Sequence, residues 1–393
     1  SDAAARRVAV LSFTNLSADS TDAYLAKGIS EEIATRLGDT PGLRVASRSA
    51  VGRLERADSV DAVTRARALG FSHLVEGSVR RAGERVRVAV RLVDAADGAQ
   101  RWTRNYDRAA ADLLALQDEI ALDVARAVVG HLAPGTAAAR AGHAPNPAAH
   151  DQVLRGNYHL AQRNPRELAR AVATYAEAAR LDSSFALAFA KLAHAHVLLL
   201  DWGWTYDSLA PAALLERGQE AAERAIQLDP RLADGWLARG GLLAFENSGT
   251  RAGVPEALRR AVDLDSGNAE AHQELGMSLR LLDQDSAAAV QFRDALSIDP
   301  DRPMSLVHLG WIDMVAGRYT DARRWLDSAA AYQASFNRPQ RSRIGTRADA
   351  ASTPESSSRT GAFIARPRRR RGLPARCLGT RRSSPGCCRA APA

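Results

Sequence analysis

Residues 269–300 read AEAHQELGMSLRLLDQDSAAAVQFRDALSIDP, and residues 303–329 read PMSLVHLGWIDMVAGRYTDARRWLDSA. The two stretches repeat each other at an offset of 34 residues: Gly276 with Gly310, Ala288 with Ala322, Phe292 with Leu326, and Ala295 with Ala329. Small residues stand where two helices must touch, and a bulky apolar one wedges between them. Pro300 marks the exit turn. A fixed period of this size is the mark of stacked helical hairpins. Such a hairpin cannot bury its apolar face alone, so units must pack on one another.

The pattern extends upstream less regularly. Asp299-Pro300 recurs as Asp229-Pro230 and, with serine, as Asp265-Ser266 and Asp182-Ser183. Each dipeptide follows a helical stretch: 175–181, 221–228, 257–264 and 292–298. Partner helices are predicted over 149–162, 186–200, 233–245, 269–282 and 303–316. That makes about five units over 149–332, the second carrying an aromatic insertion near 201–213 (Trp202, Trp204, Tyr206). These features resemble the tetratricopeptide (TPR) family, an all-α superhelix. The resemblance implies that positions 2, 5, 9 and 12 of each first helix line a concave groove. Carried onto this chain, they are His150, Val153 and Asn157 in the first unit and Asp234 and Leu237 in the third. The fourth contributes Glu270, Gln273, Met277 and Arg280, and the fifth Met304, Val307, Trp311 and Met314. Such a mixed, partly apolar face suits a protein or peptide partner. Packing against the rest of the chain, with no ligand, is the alternative use.

Residues 7–132 read as mixed α/β. Val8-Ala9-Val10-Leu11-Ser12-Phe13 suits a buried strand, and 43–47 a second. Helices are predicted over 21–37, with Ile29, Ile33 and Leu37 on one face, and over 59–69, ending at Gly70. A strand over 73–80 turns at 82–84 into one where Val86, Val88, Val90 and Leu92 alternate with outward arginines. Asp97-Gly98 signals another hairpin, leading to a strand holding Trp102 and Tyr106. A helix over 110–132 closes the order β-α-β-α-β-β-β-α. Val8–Ser17, Gly28–Ile33, Leu43–Arg48, Val75–Arg81 and Leu116–Ile120 resemble the TolB-like (FlgO-related) amino-terminal domain. Ser12 and Lys27 depart from that family's usual proline and aspartate. The resemblance implies a bacterial signalling protein in which this domain and its TPRs form the C-terminal half. The front half would be a CadC-like transcription regulator, an adenylate cyclase or a serine/threonine kinase. An envelope protein of Tol or flagellar type is a further alternative, so the cytoplasm and the periplasm both stay open.

The formal charge of +8 is unevenly placed. From Asn337 onward there are 14 arginines against Asp349 and Glu355, which leaves residues 1–336 net negative. The body therefore lacks the basic balance expected of a nucleic-acid binder. All three cysteines, Cys377, Cys387 and Cys388, fall in this last stretch. Residues 333–393 read as a disordered basic tail, with a binding arm as one alternative. The product of an out-of-frame reading of GC-rich DNA is another. Residues 133–148 read as a flexible Ala/Gly/Pro linker. The chain begins at Ser1 without methionine and is expected to be a piece of a longer protein. No apolar run is long enough to span a membrane.

Catalytic patterns are missing: no P-loop, no Rossmann fingerprint, no kinase signature and no Gly-x-Ser-x-Gly. The expectation is a non-enzymatic chain without a cofactor or metal. His194 and His196 point about 200° apart on a helix and cannot share an ion. Arg85, Arg87 and Arg91 line one strand face, a candidate anion-facing row; a solvated face is its plainer reading.

Overall fold

A computed structural model of the chain describes residues 6–38, 40–55, 60–129, 145–246 and 253–336, with side chains as far as Tyr332. Most of the predicted linker and all of the chain beyond residue 336 lie outside the described residues.

Val8, Ala9 and Val10 are apolar on both sides, and they sit within β1 (Arg6–Val10), buried from both faces. β1 pairs in parallel with β3 (Leu43–Val45) and with β4 (His73–Ala82). The sheet then turns antiparallel through β5 (Arg85–Asp94) and β6 (Gln100–Ala109), in the order β3-β1-β4-β5-β6. A short β2 (Thr14–Asn15) pairs with the far end of β4. Gly83, at φ +59°, makes the two-residue turn between β4 and β5 possible, since that backbone region penalises any Cβ.

One face of the sheet is covered by α1 (Ala23–Gly38) and α4 (Leu113–Val129). Ile29, Ile33 and Leu37 meet Leu116, Ile120 and Val124 over the alternating valines of β5. The opposite face is covered only over β1 and β4, by α2 (Arg48–Leu54) and α3 (Ala62–Ala68). α2 and β2 are absent from the order read in the sequence. Two residues are too short for periodicity to register, and the seven of α2 lack the closing glycine that marks α3, equally short, at Gly70. Ser47 starts α2 by accepting the amide of Ala50, and Asp61 does the same for Thr64 at α3, which is shorter than the predicted 59–69.

Among the described residues ten further helices follow: α5 (Pro147–Leu160), α6 (Pro165–Leu181), α7 (Ala186–Asp201), α8 (Pro211–Leu228), α9 (Ala233–Glu246), α10 (Val254–Leu264), α11 (Ala269–Leu281), α12 (Asp285–Ile298), α13 (Pro303–Val315) and α14 (Tyr319–Phe336). They pack as consecutive pairs, forming TPR-like hairpins. The quoted repeat shows its mechanics here. A Cβ on Gly276 would stand 2.8 Å from the Phe292 ring, so only glycine admits that wedge. Gly156 does the same for Tyr175, at 2.3 Å, although the partner stands 19 positions on rather than 16. The motif is thus present in the first unit with its aromatic wedge set about one helical turn deeper into α6, which is why the fixed offset fails there. Trp202 and Trp204, edge to face at 4.6 Å, fold the insertion back onto the α5–α8 core.

Candidate functional site: the concave face of the array

The α/β domain is seated on the array. Leu154 of α5 is fully buried within the core formed by α1 and α4, and a Cβ on Gly28 would come 3.1 Å from it. Tyr24 of α1 donates its hydroxyl to Asp151 at 2.6 Å and accepts from Arg155 at 2.9 Å. Burial and that carboxylate hold the phenol far above its ordinary pKa, so it stays a donor. Further along α1, Glu31 pairs with Arg48 at 3.0 Å and Glu32 with Arg36 at 2.5 Å. Both acids act electrostatically on Lys191 of α7. At the far end, Ser47 donates to Asp299 at 2.8 Å, Ser49 bonds the same oxygen, and Arg53 pairs with Asp301 at 2.6 Å. The segment from Tyr24 to Arg53 therefore reaches from the first array unit to the α12–α13 turn.

That seating decides the fate of the predicted groove positions. In the first unit, His150 is buried against Gln117 of α4 at 3.2 Å, and burial keeps its imidazole neutral. Val153 is fully buried, and Asn157 accepts the Tyr175 hydroxyl at 2.8 Å. In the third, Leu237 is buried and Asp234 holds Lys191 at 2.6 Å. Burial pulls that ammonium down, but the Asp234 carboxylate together with Glu270 and Glu32 outweighs it and keeps it charged. In the fourth, Glu270 faces His194 at 3.8 Å, and Gln273 accepts from Ser305 at 3.3 Å. Burial raises Glu270, but His194, Arg302 and Lys191 together hold it ionised. Glu274, one turn on, gets too little such help from Gln273 and Arg302: burial and the neighbouring Glu270 push it up to about 7.

The fifth unit differs. Met304, Val307, Trp311 and Met314 are all exposed, from 38% to 47%, along one side of α13. Met277 in the fourth unit is partly buried. Arg280 lays its guanidinium over the Trp311 ring at 4.3 Å, a cation–π contact joining the fourth unit to the fifth. Beneath them His308 stacks on Phe292, with centroids 5.1 Å apart, and burial brings its imidazole down to about 4.

The arginine row of β5 does point outward, and two carboxylates meet its three charges. Arg85 and Arg87 share Asp107 of β6 at 2.6 and 2.8 Å, and Arg91 pairs with Glu76 of β4 at 2.6 Å. His196 bonds the carbonyl of Leu192 at 2.9 Å, away from His194. Among the described residues no cluster of three or more metal-ligating side chains occurs, and no helix is long and apolar enough to cross a membrane. The residues of α1 and α2 that hold the array were missed in the sequence. Gly28, a glycine inside a helix, was the available signal, because such a position implies a close contact.

No family model matches the chain. It is similar, at 32% identity over 222 residues, to a protein of Rhizobium meliloti (strain 1021) described as "Putative adenylate cyclase 3"; the match covers 55% of this chain and 37% of that protein's length. Among solved structures it is similar to TTC0263, a thermophilic TPR protein of Thermus thermophilus, at 16% identity over 48% of this chain and 99% of that one, with a TM-score of 0.37. YrrB, "a TPR protein with an unusual peptide-binding site", aligns at 23% identity over 47% and 87%, with a TM-score of 0.32. MamA aligns at 17% identity over 46% and 95%, with a TM-score of 0.34. At these scores none of the three bears on what this chain binds.

Proposed function

We propose that this chain is a non-catalytic protein-interaction or sensory module of a bacterial signalling protein, pairing a TolB-like domain with a TPR array. The observation that carries the reading is the exposed row Met304, Val307, Trp311 and Met314 on an array whose other concave positions are paired or buried. An apolar row of this kind, with a tryptophan at its centre, is the composition of a binding hot spot. The test is capture of a partner on the full chain, followed by reconstitution of the purified pair. Trp311→Ala should weaken that pair by roughly thirtyfold, as for a central aromatic anchor. No partner that reconstitutes, or one indifferent to Trp311→Ala, overturns the reading.

A second reading, that the chain is the regulatory region of a longer enzyme, is favoured by its similarity to the adenylate cyclase-named protein. Reading the coding DNA upstream of Ser1 tests it. Cyclase or kinase motifs there support an enzyme, and a winged helix supports a transcription regulator instead.

A further inference from the structure

We infer that the open end of the concave face, the α13 row together with Arg280, takes an amphipathic helix that carries a carboxylate, laid as a continuation of the surface already occupied by α1 and α2. The inference rests on the interaction reading above and names the partner chemistry of that site.

Three observations converge. First, the array already accepts helices in cis. α1 packs on α5, and α2 is clamped to the α12–α13 turn through Asp299 and Asp301. The covered surface stops at that turn, and the exposed row begins at Met304, directly after it. The open face is thus continuous with an existing helix-bearing interface.

Second, the row favours a helix over an extended chain. An extended peptide brings main-chain groups that must be hydrogen-bonded when desolvated. The polar groove side chains that could serve them are engaged: Asp234 with Lys191, Gln273 with Ser305, and Glu270 facing His194. What remains beside α13 is apolar. A helix satisfies its own backbone and asks only for an apolar surface. The row spans 11 residues of α13, about 15 Å, or roughly three turns of a partner helix.

Third, the charge is one-sided. Arg280 stacks on Trp311 and has no carboxylate within ion-pairing distance among the described residues. A guanidinium fixed by its ring contact offers two N–H donors to one carboxylate. The partner helix should therefore place Glu or Asp one turn from its central apolar anchor.

The experiment uses the full chain and three fluorescein-labelled peptides of about four turns each, long enough to hold a constrained helix. The first is a stapled helix with leucines at i, i+3 and i+7 and a glutamate at i+6, one turn beyond the second leucine. The second replaces that glutamate with lysine, and the third keeps the composition but carries central prolines. Fluorescence anisotropy should give binding of the glutamate helix about tenfold or more tighter than either control. Arg280→Gln should erase the preference for glutamate over lysine, and Trp311→Ala should abolish binding. Circular dichroism of both variants should match the parent, since both side chains lie at the surface. Equal binding of the proline peptide overturns the helical occupant. Equal binding of the lysine peptide, or a preference that survives Arg280→Gln, overturns the acidic one. Absence of any peptide binding overturns the inference alone, if a reconstituted protein partner still depends on Trp311.

Discussion

Glu274 and His308 should give the stability of the array opposing pH dependences, which single substitutions would separate. Burial beside Glu270 raises the Glu274 carboxyl from 4.5 to about 7, with Asp201 adding to it and Gln273 and Arg302 only partly offsetting it. Its protonated form is the one the fold favours. That contribution is complete below pH 4.5 and is lost as pH rises through about 7. Burial and Arg280 lower the His308 imidazole from 6.5 to about 4, so the fold favours the neutral ring. This second contribution is complete above pH 6.5 and is lost as pH falls through about 4. Each shift corresponds to roughly 3 kcal/mol, at ~1.4 kcal/mol per pH unit. Between pH 4.5 and 6.5 the unfolded chain binds a proton at His308 that the folded chain lacks, and the folded chain binds one at Glu274 that the unfolded chain lacks. The two slopes cancel. In Glu274→Gln the His308 slope stands alone, so the variant should gain about 2–3 kcal/mol relative to the parent from pH 4.5 to 6.5. His308→Gln should lose a similar amount over the same range. Urea midpoints at constant ionic strength, followed by tryptophan fluorescence, measure both. Variants whose stability tracks the parent at a constant interval across that range would refute the argument that burial governs these two groups.

Three other outcomes follow from the geometry. Gly156→Ala places a methyl 2.3 Å from the Tyr175 ring, and the overpacking cost, about 1–3 kcal/mol, should exceed the ~1 kcal/mol gain in helix propensity, giving a lower melting temperature. Tyr24→Phe removes a charge-assisted bond to Asp151 while Arg155 still pairs that carboxylate; a loss of about 1–2 kcal/mol in chemical denaturation is expected, with faster proteolysis between the α/β domain and α5. Replacing Arg85, Arg87 and Arg91 together with glutamine should lower retention on a heparin column no more than replacing three exposed arginines elsewhere on the body, because Asp107 and Glu76 pair with the row; a distinctly larger drop would restore the row as an anion site.

The sequence by itself determined the longer elements, though not the short α2 and β2. The 34-residue offset, the i, i+4 spacing of Ile29, Ile33 and Leu37, and the alternation of Val86, Val88, Val90 and Leu92 are short-range patterns. Local geometry turns such patterns directly into helices and strands. The resemblance to TPR repeats, not a local pattern, singled out Met304, Val307, Trp311 and Met314, and the structure has them exposed along α13. Only the tertiary structure decided which groove positions stay open. Ser47 meets Asp299 across 252 residues of chain, and Tyr24 meets Asp151 across 127. No local pattern encodes contacts at that separation, since they arise from how the α/β domain seats on the array. The same reason governs the charges. Alternation told which way Arg85, Arg87 and Arg91 point, but the register of β5 against β4 and β6 supplied Glu76 and Asp107 to meet them. Arg280, left facing Trp311 with no carboxylate partner among the described residues, became visible only once α11 and α13 lay side by side.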